Sequence, residues 1–165
     1  MTFYIKKIKK ICIFQKNSIY ISEVIGNKFI YINDGSHTKL IQHKFNFITK
    51  IKSLQQQGKF KKKIRYVWLE NSLHKNITFA RSLWTIINQK SFYNNIKKNY
   101  PIGLSFIESK IDITRDIQEI YYSYCNEFEK ILQFKGTIWG RKYILHSNNN
   151  YTTIIQEFFS YRVFN

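Results

Sequence analysis

One alanine, one proline, six glycines and two cysteines in 165 residues leave little material for several common designs. Cys12 and Cys125 are far apart and have none of the paired spacing of zinc or redox sites, so they read as two reduced thiols in a reducing compartment. His37, His43, His74 and His146 show no metal-ligand spacing either, and no metal is expected. The glycines form neither a phosphate-cradling loop nor a dinucleotide fingerprint, which makes a cofactor-free protein the expectation. With no proline-rich linker and no internal repeat, residues 1–165 read as one domain, expected to be a monomer. No apolar run approaches the roughly 18–20 residues that span a bilayer. The N-terminal MTFYIKKIKKICIF is a basic segment followed by few apolar residues and no small-residue cleavage pattern, so a secretory signal is not expected.

What is abundant is positive charge and apolar bulk. Lys and Arg number 27 against 10 Asp and Glu, a formal charge of +17. Such a surface would suit phosphate binding. Yet lysine outnumbers arginine more than fourfold, and isoleucine and asparagine are equally inflated. All three excesses follow from A/T-rich codons, so the charge needs no nucleic-acid partner. The densest run, Lys59 to Lys63, reads as a solvated loop or strand end. What remains is a general attraction for anions. With 44% hydrophobic and 18% aromatic residues the chain is globular. A chain of this length buries roughly two-thirds of its unfolded surface, enough for a core and an internal pocket.

The pattern along the chain predicts an α+β fold, a single antiparallel sheet with helices packed on it. Residues 17–33 fit either a helix interrupted at Gly26 or two short strands. Asn33 to Ser36 is a turn signal, after which Thr38 can cap a helix carrying Leu40, Ile41 and Lys44. Phe45, Phe47, Thr49 and Ile51 alternate as a strand, and Gln55 to Lys63 reads as a polar connection. Ile64 to Glu70 and Ile77 to Trp84 predict a hairpin joined by Asn71 to Asn76. Thr114 is a candidate N-cap, and Ile117, Ile120, Tyr121, Tyr124, Phe128, Ile131 and Leu132 recur at helical spacing, ended by Lys135-Gly136. Two last strands, about 137–146 and 151–159, flank the polar turn Ser147 to Asn150.

Charges interrupt the apolar rows of these strands. Residues two apart on a strand share a face. Arg65 therefore aligns with Val67 and Leu69, Arg81 with Phe79 and Leu83, Arg141 with Tyr143 and Leu145, and Glu157 with Ile155 and Phe159. A charge on a core-facing row is costly unless it is paired or meets a ligand. Arg65 can be a strand-end arginine whose head reaches water, and Glu157 can be an ion-pair partner for Arg141 or Arg81. The alternative is an internal polar site. Pro101 fixes φ, and Gly103 allows a close backbone approach.

Six blocks in order, DGSHTK (34–39), IRYVWLENS (64–72) with ARSLW (80–84), PIG (101–103), TRD with Glu119-Ile120, WGRK (139–142) and QEF (156–158), resemble the chorismate lyase family (chorismate pyruvate-lyase, 4-hydroxybenzoate synthase). The likeness is to its plastid and photosynthetic-bacterial branch and runs from about Asp34 onward. The resemblance implies a chorismate substrate, 4-hydroxybenzoate and pyruvate as products, no cofactor, a location in the plastid stroma (or in the cytoplasm of an organism with an A/T-rich genome) and a role in quinone synthesis. It implies Arg65 and Glu157 as the catalytic pair and His37, Arg65, Ile102 and Glu157 as the substrate-binding set. Arg65 would grip the ring carboxylate, joined there by the Ile102 backbone N–H; Glu157 would hydrogen-bond the hydroxyl at the opposite end. His37 stands where the best-studied members have methionine, at a position that contacts the hydroxyl end. Arg81 and Arg141 are candidates for the second, enolpyruvyl carboxylate, or for internal salt bridges. Arg115 and Asp116, at a helix start on this reading, are structural. A non-catalytic aromatic-acid sensor of the same fold is the alternative function; the helix-turn-helix domain that precedes such sensors in regulators does not fit into residues 1–33.

Overall fold

The computed structural model describes residues 10–15, 36–59, 62–71, 75–85, 100–147, 151–160 and 163. In chain order the elements are β1 (Lys10–Gln15), α1 (His37–Phe45), β2 (Lys50–Lys59), β3 (Lys62–Glu70), β4 (Asn76–Thr85), α2 (Ile102–Glu108), β5 (Ile113–Tyr124), α3 (Asn126–Ile131), β6 (Ile138–Ser147) and β7 (Tyr151–Ser160). The strands form one seven-stranded sheet in the order β1-β5-β6-β7-β4-β3-β2, antiparallel throughout. Two meanders, β2-β3-β4 and β5-β6-β7, are joined by the pairing of β4 with β7. The α+β class, the β3–β4 hairpin and the two last strands are as the sequence predicts.

Both faces of the sheet are covered. On one, Ile41 of α1 packs with Leu69, Ile120 and Phe159, and Phe106 of α2 packs with Tyr143, Leu145 and Ile155. On the other, Phe128 of α3 and Leu132 meet Trp68, Phe79, Tyr121 and Phe158. Double-sided burial explains why consecutive residues are buried, Val67 to Glu70 on β3 and Glu157 to Phe159 on β7.

The predicted helix from Thr114 to about Leu132 is instead strand β5 followed by the short helix α3. The segment ITRDIQEIYYSY is rich in β-branched and aromatic residues, which favour a pleated surface. A bulge between Ile117 and Glu119 inserts one extra residue into β5 opposite β6. The phase of the side chains flips there, so Ile117 and Ile120 share a face although they are three apart. A strand with a bulge thus imitates the helical period. Thr114 is therefore no N-cap, and α3 ends at Ile131, before Lys135-Gly136.

Three smaller expectations also shift. Ser36, not Thr38, caps α1, its Oγ accepting from Lys39 N at 3.5 Å. Phe45 closes α1 and the next strand starts only at Lys50, so the predicted alternation from Phe45 holds no strand until then. Gln55 to Lys63 is no connection: β2 runs to Lys59 and β3 resumes at Lys62. Among the described residues β2 is an edge strand, paired only with β3. The readings of residues 17–33, of Asn33 to Gly35, and of His74 and Lys61 lie outside the described residues.

Candidate functional site: a cavity between the sheet and two helices

Strand register sets four parallel rows on the face covered by α1 and α2. They run Lys63–Trp84–Thr153–Leu145–Arg115, Arg65–Ser82–Ile155–Tyr143–Ile117, Val67–Ala80–Glu157–Arg141–Ile120, and Leu69–Thr78–Phe159–Trp139–Tyr122. Where the helices leave the second and third rows uncovered there is a cavity of about 240 Å³. Its walls are largely aliphatic, from Val67, Leu69, Leu145, Ile155 and Ile113. Ser36 to Thr38 at the start of α1 and Pro101 to Gly103 at the start of α2 complete it, with Ile107, 49% exposed, at its rim. Gly103 is where the two helix starts meet: a Cβ there would lie 3.2 Å from Ser36 Oγ.

All four residues of the expected binding set line this one cavity. Arg65, 2% exposed, does not reach water. Its Nη2 donates to the Tyr100 carbonyl at 3.0 Å, tying β3 to the turn that opens α2. Burial pushes its pKa down to about 10, leaving it charged at neutral pH. Ile102 is the first residue of α2, in a first turn whose N–H groups have no acceptor within the helix. Arg65 and the start of α2 are thus at one end.

Glu157 is at the other. Its Oε2 accepts from Arg141 Nε at 2.9 Å, and its Oε1 accepts from the Tyr143 hydroxyl at 2.8 Å. Burial alone would raise its pKa; the charges of Arg141 and His37 and the two hydrogen bonds outweigh that and hold it at about 2. Burial first, then the Glu157 charge, pushes Tyr143 well above the ordinary phenol value, so it remains a donor. His37 is buried beside this pair, its Nε2 3.0 Å from Thr78 Oγ1 and its ring 5.4 Å from that of Phe159. Burial lowers His37 to about 4; Glu157 opposes the shift, while Arg141 and Arg115 add to it. At neutral pH the imidazole is uncharged.

Of the arginines, Arg141 takes the internal salt bridge that the sequence allows, whereas Arg81 and Arg115 fall elsewhere than expected. Arg141, fully buried, belongs to the ion pair with Glu157 and does not line the cavity. Arg81 is on the opposite face with Phe79, its guanidinium carbon 5.8 Å from the Tyr66 ring centre. Arg115, expected at a helix start, is on β5 and lines the cavity, its guanidinium carbon 4.7 Å from the Tyr143 ring centre. Sequence reasoning misses it because β5 carries an apparent helical period; taken as a strand, Arg115 alternates with Ile113 and Ile117 and gives the same signal as Arg65. Among the described residues no three His, Cys, Asp or Glu side chains gather as a metal site, and no helix is long and apolar enough to cross a membrane.

A family model described as "Chorismate pyruvate-lyase Rv2949c-like" matches residues 32–165. The chain is 36% identical over 152 residues to "Uncharacterized protein ycf21" of Antithamnion sp., covering 88% of this chain and 85% of that protein. It is 36% identical over 143 residues to the protein of the same name from Porphyra purpurea, covering 81% and 79%. Both relatives are encoded in red algal plastid genomes. Among solved structures, gene product SA0254 of Staphylococcus aureus overlaps with a TM-score of 0.46 at 12% identity, over 69% of this chain and 85% of that one, too loosely to bear on function.

Proposed function

The chain belongs to the Rv2949c-like chorismate pyruvate-lyase family, and from that premise we propose that it eliminates the enolpyruvyl group of chorismate, leaving 4-hydroxybenzoate. The proton on the ring carbon that bears the hydroxyl is lost, and its electron pair enters the ring. The ether C–O bond breaks, its own bonding pair leaving on the enolpyruvyl oxygen. The released enolate takes up a proton at its methylene carbon, replacing the one lost from the ring, to give pyruvate, and aromatisation supplies the driving force. The protein's task is to hold the ring and exclude water.

The observation that supports this reading best is one buried, aliphatic cavity with an arginine fork at one end and an ionised carboxylate at the other. Arg65 and Glu157 are two strands and one row apart, roughly 10 Å across the sheet and 7 Å along it at their Cα atoms. Their side chains reach inward across that interval, leaving space suited to a single ring. A guanidinium can meet a carboxylate with two parallel charge-assisted bonds. A carboxylate offers about four acceptor positions, and Glu157 uses two on Arg141 and Tyr143. In our reading Arg65 and the Ile102 N–H take the ring carboxylate, and Glu157, beside His37, accepts from the ring hydroxyl. Kept ionised by Arg141 and the Tyr143 hydroxyl, Glu157 serves in this reading as a binding group for the ring hydroxyl. That same observation favours the second reading, a non-catalytic aromatic-acid-binding module. The relatives' plastid genomes support a site of action in the plastid stroma and a product used for quinone synthesis.

Purified protein incubated with chorismate, with and without EDTA, tests the proposal. Chorismate should disappear with equimolar 4-hydroxybenzoate and pyruvate, unaffected by the chelator. Binding of 4-hydroxybenzoate with no turnover at any protein concentration would favour the binding module.

A further inference from the structure

A substrate with two carboxylates needs a second cation, and the cavity has one that the chorismate reading above does not use. We propose that Arg115 binds the carboxylate carried on the ether side chain and so separates a dianionic substrate from its monoanionic product. The inference rests on that reading of the cavity. Arg81 is excluded by its face of the sheet, and Arg141 by its burial against Glu157. Arg115 and Arg65 line the same cavity from β5 and β3, on either side of a floor made by β4, β7 and β6.

Two physical arguments favour this role. The Arg115 guanidinium carbon lies 4.7 Å from the centre of the Tyr143 ring, whose hydroxyl is bonded to Glu157. This cation–π contact holds the charge beside the cavity that Arg115 lines, and the N–H groups of a guanidinium are suited to meet a carboxylate. The second argument is the charge of the lining. Two cations and one anion line the cavity, Arg65, Arg115 and Glu157, and the anion is engaged by Arg141 from behind the wall. A monoanionic ligand can meet one of the two guanidinium groups in this low-dielectric space, whereas a dianion can meet both.

Calorimetry with two stable ligands provides the test: 4-hydroxybenzoate, and 3-(carboxymethoxy)-4-hydroxybenzoate, which carries a second carboxylate on an ether oxygen beside the hydroxyl. Arg115→Met should weaken the diacid by about tenfold or more and 4-hydroxybenzoate by about threefold or less, the loss of one charge-assisted contact. Arg115→Lys keeps the charge and the bulk but not the planar fork, and should show the same selective loss at a smaller factor. It also serves if the methionine variant does not fold. Equal losses for both ligands, or none for the diacid, overturn the role of Arg115 and leave the chorismate reading standing. If the unsubstituted protein binds neither ligand, the chorismate reading falls and this inference with it.

Discussion

Burying His37 beside the Arg141–Glu157 pair has an acid consequence. His37 is held at about 4, below the 6.5 of a free imidazole, so the unfolded chain takes up that proton first as the pH falls. Its contribution to stability is whole above about pH 6.5 and declines toward pH 4. Glu157, near 2 instead of 4.5, extends the decline, since what its ion pair contributes is lost as the pH falls from about 4.5 to 2. Denaturant unfolding at pH 7 and pH 4.5 should show a loss of about 2–3 kcal/mol from His37. His37→Gln, which keeps a hydrogen-bonding group for Thr78 but does not titrate, should flatten that interval. An unchanged slope in the variant would mean that His37 is not the group responsible. How much a single position tells in the sequence varies. An apolar row marks Glu157 as paired or ligand-facing, and it is paired, with Arg141 on the neighbouring strand. Register decides which of two candidate arginines it meets, and register depends on long-range pairing that alternation alone does not specify. The same signal marks Arg65, but not its burial or its bond to the Tyr100 carbonyl.

Elements are legible where alternation is unbroken. β3, β4, β6 and β7 are rich in β-branched and aromatic residues, with polar links between the paired strands. β5 escapes because a bulge turns period two into an apparent period of three, and β2 because its polar sequence KIKSLQQQGK shows no apolar alternation. The helix reading of β5 also hides that Arg115 lines the cavity, because the side-chain phase is lost with the strand. Gly140 stands between Trp139 and Arg141, and only the packing reveals its purpose. A Cβ there would lie 2.7 Å from Phe158 Cδ1 and 2.8 Å from the Glu157 carbonyl. Glycine lets β6 lie close against β7 where Arg141 meets Glu157. Gly140→Ala should force the strands apart and destabilise by about 2 kcal/mol, lowering Tm by about 4–8 °C. Thermal unfolding checks this. An unchanged Tm would show that the strands yield without cost, and that the close approach is not needed to hold the ion pair.

At the scale of the molecule, the formal charge of +17 and the cavity are separate matters. Surface lysines can draw an anion toward the protein, with an effect that salt screens, but they do not choose which anion is bound. In the proposed reading, choice belongs to the cavity, whose aliphatic walls separate Arg65 from Glu157. The two ends should answer to different parts of a ligand. Glu157→Gln would test the hydroxyl end poorly, because it strips the partner from fully buried Arg141 and destabilises the fold by roughly 3–5 kcal/mol. The ligand can be varied instead. Calorimetry of the unsubstituted protein and of Arg65→Ala, each with 4-hydroxybenzoate and with benzoate, is the most direct measurement. The unsubstituted protein should bind 4-hydroxybenzoate more tightly than benzoate, because only the former offers Glu157 a hydroxyl. Arg65→Ala should weaken both by about 2–4 kcal/mol, since both lose a charge-assisted fork. If Arg65→Ala is silent for both ligands, or the two bind the unsubstituted protein equally well, the cavity does not read a ring by its carboxylate and hydroxyl ends.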